Sequence, residues 1–284
     1  MTYTHLIITR FMCDNFIKEN SDENIFSPEW KEMSFNMASR HIIPTLENQT
    51  NQNFILVFLI SRYATATDIA RIRSLSDKLN IKIFYLDVFN NAIRNTTTDY
   101  LITSRLDYDD HVYNNCVEDI QNIIKDEPSS MLWGLGEGVS IIDGEKDAYL
   151  MYNYLWLYNE GLPAPMTTLI LKREEVKEYF DIYKLGYHTE VSRNFDITQS
   201  YYFNNPIFDR SDIHNRKKQN EIDYIWIRHK YSASAICNDI VHTTNIKIDL
   251  SEKELKEKFV FNYILNIFNT IIINMIIIIK STSN

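Results

Sequence analysis

Glycine is scarce in this chain, at 6 of 284 residues. None falls in ITRFMCDN, residues 8–15, where a phosphate-gripping loop would follow a first strand. With a single basic residue there as well, the stretch argues against a nucleotidyltransferase built on a Gly- and Lys/Arg-rich loop. Cysteine is scarcer: Cys13, Cys116 and Cys237 are far apart, odd in number and without a C-x-x-C pair. That excludes a zinc ribbon or redox couple and points to a reducing, cytoplasmic compartment. Basic residues are outnumbered 29 to 38, for a net charge of −9, and Arg216, Lys217 and Lys218 form the one basic run. A general nucleic-acid binder needs clustered Lys and Arg, so that class is excluded. The first residues, MTYTHLIITRF, have neither a basic leader nor a small-residue cleavage site, so no signal peptide is expected. The N-x-T matches at Asn48 and Asn95 then carry no glycosylation meaning.

What the chain does have is an ordinary globular balance, 45% apolar and 24% charged residues, and the length for one large α/β domain. Buried strands are expected at His5–Thr9, Phe54–Ile60, Ile81–Leu86 and Tyr100–Leu106, because each is a nearly unbroken apolar run. Between them, Ser27-Pro28-Glu29 opens a helix that should end before Pro44, and Leu46–Gln49 reads as a short helical turn. Thr67–Leu79 is amphipathic, and apolar residues recur at helical spacing from His111 to Ile124. Strand and helix alternate, so a doubly wound, mostly parallel sheet with helices on both faces is expected. Its ligand crevice should lie at the carboxyl ends of the strands.

The run at Tyr100–Leu106 ends in Asp107, Asp109 and Asp110. Carboxylates spaced i and i+2 on a turning chain can converge on Mg2+ or Mn2+, which then also takes oxygens from a diphosphate. The bland alternative is a solvated acidic loop. An EF-hand fails because its sixth place is Val112, not glycine. Arg10, at the end of the first strand, is a candidate to face a phosphate, with a surface arginine as the equal alternative, and Asp87 ends the third strand.

HLIITRF (5–11), PTLENQTNQNFILVFLIS (44–61) and TSRLDYDD (103–110) together resemble the bacterial rhamnosyltransferase family, within the inverting GT-A glycosyltransferases. The resemblance implies a GT-A fold, a nucleotide-sugar donor, a glycan acceptor and a D-x-D metal site. It places Asp107 at both ribose and metal and Asp109 at the metal with Asp110 beside it. Thr9, Arg10, Phe11, Asp87 and Arg105 would line the donor. Gln49 and Thr50 match the family's Q-T pair, with a structural role. Residues 1–125 would form the nucleotide-sugar-binding half of the domain, 126–245 the acceptor half, and 246–284 a C-terminal helical extension.

In the acceptor half, Val139–Ile142 and Tyr149–Leu157 read as strands around Asp143-Gly144, and Arg173–Tyr183 reads as a helix. His229 follows the strand-like run Tyr224–Ile227 and is a candidate further metal ligand. An inverting reaction needs a carboxylate base, and Glu190 and Asp143 are the candidates carried forward from a pool that includes Glu137, Glu174 and Asp196. Ser251 and Glu254 make a capping box, and Phe259–Ile279 is uncharged. That run is long enough to cross a bilayer, but Asn262, Asn266 and Asn269 would give a helix there a polar stripe, which better suits docking on the domain or peripheral contact with the inner face of a membrane than a true span. The competing classes are a GT-A-fold glycan-binding protein without turnover and the nucleotidyltransferase disfavoured above.

Overall fold

The computed structural model describes residues 1–12, 27–85, 89, 96–127, 130–135 and 165–176 with their side chains, and residues 137–142, 148–152, 201–203, 224–228 and 243–248 as backbone strands. The fold is α/β. β1 (Tyr3–Arg10), β2 (Ile55–Ile60), β3 (Ile81–Tyr85) and β4 (Tyr100–Arg105) run parallel in the order β4-β1-β2-β3. Beyond β4 the sheet continues through the antiparallel β9 (Thr167–Lys172), then β6 (Met131–Gly134) and β10 (Tyr201–Phe203), to seven strands. A second sheet of five has the order β12-β8-β7-β11-β5, from β5 (Asp110–Val112), β7 (Glu137–Ile142), β8 (Ala148–Tyr152), β11 (Tyr224–Arg228) and β12 (Thr243–Ile248).

Register sorts the apolar runs by face, since strand residues alternate sides. Ile7 stands beside Leu56 and Thr9 beside Phe58. Ile7, Leu56, Phe58, Ile102, Trp133 and Ile170 join one core with residues from all the described helices, Phe35, Ala38, Ile42, Leu46, Ile72, Val117 and Ile120 among them. The opposite face carries Leu6, Ile8, Val57, Leu59, Leu101 and Leu169, which are equally buried. Burial on both sides is why these strands read as unbroken apolar runs.

Helix α1 (Pro28–Arg40) begins as its sequence predicts: the Ser27 side chain accepts from the Trp30 amide at 3.1 Å, with Pro28 at the first position. It gives way at His41 to α2 (Ile42–Glu47), so Pro44 lies inside a helix rather than after one. Its missing amide costs little there, because first-turn amides have no intrahelical acceptor. Helix α3 (Ala66–Arg73) has a capping box between Thr65 and Asp68 and stops well before Leu79. The Ser76 hydroxyl accepts the Lys78 and Leu79 amides instead, a local turn that competes with the helix. Helix α4 (Cys116–Ile123) starts at Cys116 rather than His111, because Asp110–Val112 are taken by β5. After β9 the chain makes a short 3-10 turn at Arg173–Glu175, and the rest of the helix expected to Tyr183 lies outside the described residues.

Two polar arrangements tie this frame together. Gln49, 4% exposed, caps α4: its Oε1 accepts the Val117 amide at 3.0 Å, while its Nε2 donates to the Thr45 and Tyr113 carbonyls. Thr50 adds its amide to the Asn114 carbonyl and its hydroxyl to Glu118. The second arrangement threads the sheet. Gln121 Nε2 donates to His5 Nδ1 at 3.1 Å, so the His5 proton sits on Nε2 and is donated to the Ser104 hydroxyl at 2.8 Å. Ser104 then donates to Thr168 and Thr168 to the Met166 carbonyl, each at 2.7 Å. Desolvation pulls the His5 pKa down to about 3.

Gln49→Ala should lower stability by about 2 kcal/mol in urea unfolding, because it strands the buried Val117 amide and removes the side-chain donor from the Thr45 carbonyl, while the Tyr113 carbonyl keeps the Cys116 amide. His5 makes stability pH-dependent in a definite direction. Above the unfolded value of 6.5 its contribution is fully present; as pH falls towards about 3 only the unfolded chain takes the proton. Between pH 6.5 and 5 the loss is about 2 kcal/mol, at ~1.4 kcal/mol per unit. Unfolding curves of the His5→Gln variant should be flatter than wild type over that interval.

Candidate active site

The last rung between β1 and β4 is the Leu106 amide donating to the Ile8 carbonyl at 3.1 Å. The chain then leaves the seven-stranded sheet, turns through Asp107–Asp109 and enters the five-stranded one, where Asp110 stands opposite Trp226 of β11. Within the turn the Asp110 amide donates to the Asp107 carbonyl at 3.2 Å. The acids thus sit at the carboxyl end of a parallel strand, at the joint between two sheets, which is where α/β sheets bind ligands.

Two of the three are withdrawn from solvent, while Asp107 is half-buried, with 28% of its side chain exposed. Asp109 is 8% and Asp110 4% exposed. Arg105, 5% exposed, reaches Asp107 at 3.4 Å, a long ion pair. Burial, followed by repulsion from Asp109 and then Asp107, pushes the Asp110 carboxyl well above the usual carboxylate range, against the pull of Arg105. Its Oδ1 is buried without a hydrogen-bond partner. A cluster of this kind is electrostatically short of positive charge, and a divalent cation fits it. Among the described residues no three His, Cys, Asp or Glu side chains form a ready-made cage. A bound cation would therefore take one or two of these carboxylates and complete its shell from ligand or water.

Paired residues of parallel strands share a face, so Arg10, two along from Ile8, lies on the same side as Arg105 at neighbouring strand ends. Arg10 is half-buried. Thr9 and Phe11, expected at the donor, are both 0% exposed. Thr9 faces the helical layer beside Phe58. Phe11 packs edge-on against Phe35, Phe58 and Tyr108, with centroids 5.1, 5.4 and 5.5 Å away, so it supports the acidic turn from beneath. Asp87, Asp143, Glu190, Asp196 and His229 lie outside the described residues, as does the segment Phe259–Ile279. Among the described residues no helix is long and apolar enough to cross a membrane. Glu137 is in β7, with its side chain outside the description. Glu174 is a correction: it is exposed just past Lys172, which pairs with Tyr100 at the opposite end of β4 from the acids. An antiparallel return carries it a full strand length from the turn.

Beyond Gln49 and Thr50, no local pattern marks the side chains that grip the turn. Tyr108 packs edge-on against Phe11, and burial, followed by the charge of Asp109, pushes its phenol up. His111, 0% exposed, bonds His41 Nδ1 through its Nε2 at 2.7 Å and Thr45 Oγ1 through its Nδ1 at 2.8 Å. Desolvation lowers the His111 pKa to about 4, and the bond between the two rings takes one proton on one of the facing nitrogens. All of these partners lie on a segment more than sixty positions upstream, and pairing across such a separation leaves no local pattern.

No protein-family model matches the chain, and no curated protein does. Among solved structures it is similar to S. aureus TarS 1-349, at 14% identity and a TM-score of 0.44, over 79% of this chain and 60% of that one. Mouse xyloside xylosyltransferase 1 is similar at 11% identity and a TM-score of 0.42, over 79% of this chain and 97% of that one. HddC from Yersinia pseudotuberculosis is similar at 14% identity and a TM-score of 0.35, over 78% and 100%.

Proposed function

We propose that this chain is a glycosyltransferase that moves a sugar, rhamnose being the first to test, from a nucleotide-sugar donor to a hydroxyl of a glycan acceptor, with inversion and with a divalent metal. The observation that carries this reading is the turn that sets the half-buried Asp107 and the buried Asp109 and Asp110 beside Arg105 at the end of β4. The three segments that resemble the rhamnosyltransferase family support the choice of reaction and sugar.

In such a transfer the acceptor oxygen bonds to the anomeric carbon from one side while the bond to the diphosphate oxygen breaks on the other. The electron pair leaves with the nucleoside diphosphate, and the acceptor proton goes to a carboxylate base. Arg10 and Arg105 supply fixed positive charge on one face of neighbouring strand ends, where the leaving diphosphate gains charge. Asp107 and Asp109 would hold Mn2+ or Mg2+, with Asp110 adjoining; the ion, when bound, offsets charge on the diphosphate oxygens. Glu190 and Asp143 remain the candidate bases, and His229 the candidate further ligand. Peripheral contact with the inner face of a membrane, through the uncharged segment Phe259–Ile279, belongs to the same reading.

The test is a thermal-shift screen against nucleoside diphosphates and nucleotide sugars, with and without Mn2+. At ~100 times the dissociation constant a ligand adds ~2.7 kcal/mol of apparent stability, and we expect a Mn2+-dependent shift with one nucleotide. Asp109→Asn should abolish that shift without lowering the thermal midpoint of the free protein, since it removes a repelling charge at constant shape. An unchanged shift in the variant overturns the metal assignment; no shift in wild type favours a glycan-binding protein without turnover.

A further inference from the structure

We infer that His111 is a positioning residue for the acidic turn, acting through its clamp on the corner between α1 and α2. The inference rests on the metal reading proposed above. Like charges packed in a buried turn push one another apart, so the direction in which Asp109 and Asp110 point must be imposed from outside it. The structure shows what imposes it. Successive positions from the α1–α2 corner through the end of α2 bond successive positions of the segment that follows the acids: His41 and Thr45 to His111, Gln49 to the Tyr113 carbonyl and Val117 amide, and Thr50 to the Asn114 carbonyl.

His111 is the rung nearest the carboxylates, bonded directly to Asp110 along the chain. Both of its ring nitrogens are engaged, at 2.7 and 2.8 Å, so it is not available as a metal ligand without giving up the clamp. Its backbone is pinned independently, opposite Ile225 of β11. A residue fixed at both backbone and side chain determines the orientation of its immediate neighbour. Supporting groups of this kind tune metal affinity without touching the ion, and losing one costs about 10- to 100-fold in affinity.

The experiment is Mn2+ binding to the full chain, read by the electron paramagnetic resonance of free Mn2+ with inorganic pyrophosphate present, at a temperature well below each variant's unfolding midpoint. His111→Phe keeps the ring and removes both bonds; its Mn2+ affinity should fall about tenfold or more. His111→Gln, which can still bond His41, should recover part of that loss. His5→Gln is the control for destabilisation alone: it alters an equally buried histidine in the thread across the sheet and should leave Mn2+ affinity at the wild-type value. If His111→Phe does not fold, Thr45→Val deletes one hydroxyl of the clamp and should weaken Mn2+ several-fold. Wild-type affinity in folded His111→Phe, or in Thr45→Val where His111→Phe does not fold, overturns the inference while the metal reading stands. Absence of Mn2+ binding in wild type overturns both.

Discussion

Mutual repulsion among Asp107, Asp109 and Asp110, in a turn with little access to water, is the constraint on which the rest of this structure depends. Burying even one carboxylate without a counter-charge is costly enough that such groups normally shift their pKa and take up a proton. Asp110 is driven in that direction, and Arg105 opposes the shift only in part. The parallel pairing of β1 with β2 and β4 brings Arg10 and Arg105 to one face at the same end of the sheet. The apolar runs that made the strands legible thus do a second job: they fix where the charges must meet.

The part of the fold governed by local pattern was readable in advance. Unbroken apolar runs gave the four parallel strands to within a few residues, and Ser27-Pro28-Glu29 gave the start of α1, because strand burial and helix capping are written in adjacent residues. Where local signals compete, the sequence misled. α1 ends at Arg40, before Pro44 as expected, but Pro44 itself sits in the first turn of a second helix, α2; helical periodicity after His111 conceals the three residues of β5. The acids themselves were legible and their burial was not, since burial depends on what packs above and below the turn. Phe11 supplies that packing from a distant position, against Tyr108 within the turn.

The grip on the turn was illegible for a related reason. His41 and His111 are ordinary residues in their own neighbourhoods, and only the fold brings their rings to a centroid distance of 4.8 Å. Gln49 shows the same principle more cheaply. One side chain caps a helix whose own cap residue, Asn115, makes no side-chain cap bond, and it closes α2 against the exit from the acidic turn as well. A single amide serves three buried backbone groups, so this stretch is stitched by side chains where a longer strand would have used a ladder.

That substitution follows from topology. β5 is three residues long and lies at the edge of its sheet, paired on one side with β11. An edge so short cannot hold register by backbone hydrogen bonds alone, and sheets commonly protect such edges by packing a helix or loop against them. Here α2 packs against β5, and Thr45 and His41 bond the side chain at its centre. The strand that carries Asp110 is therefore located by a helix corner on one side and a strand on the other. Because the corner belongs to the crossover between β1 and β2, the strands that position the arginines and the side chains that position the carboxylates are parts of one continuous unit. A disturbance of the α1–α2 corner consequently reaches the charged site without passing through either sheet's hydrogen-bond ladder, whereas a disturbance of His5, buried in the thread beneath β4, is spent on stability.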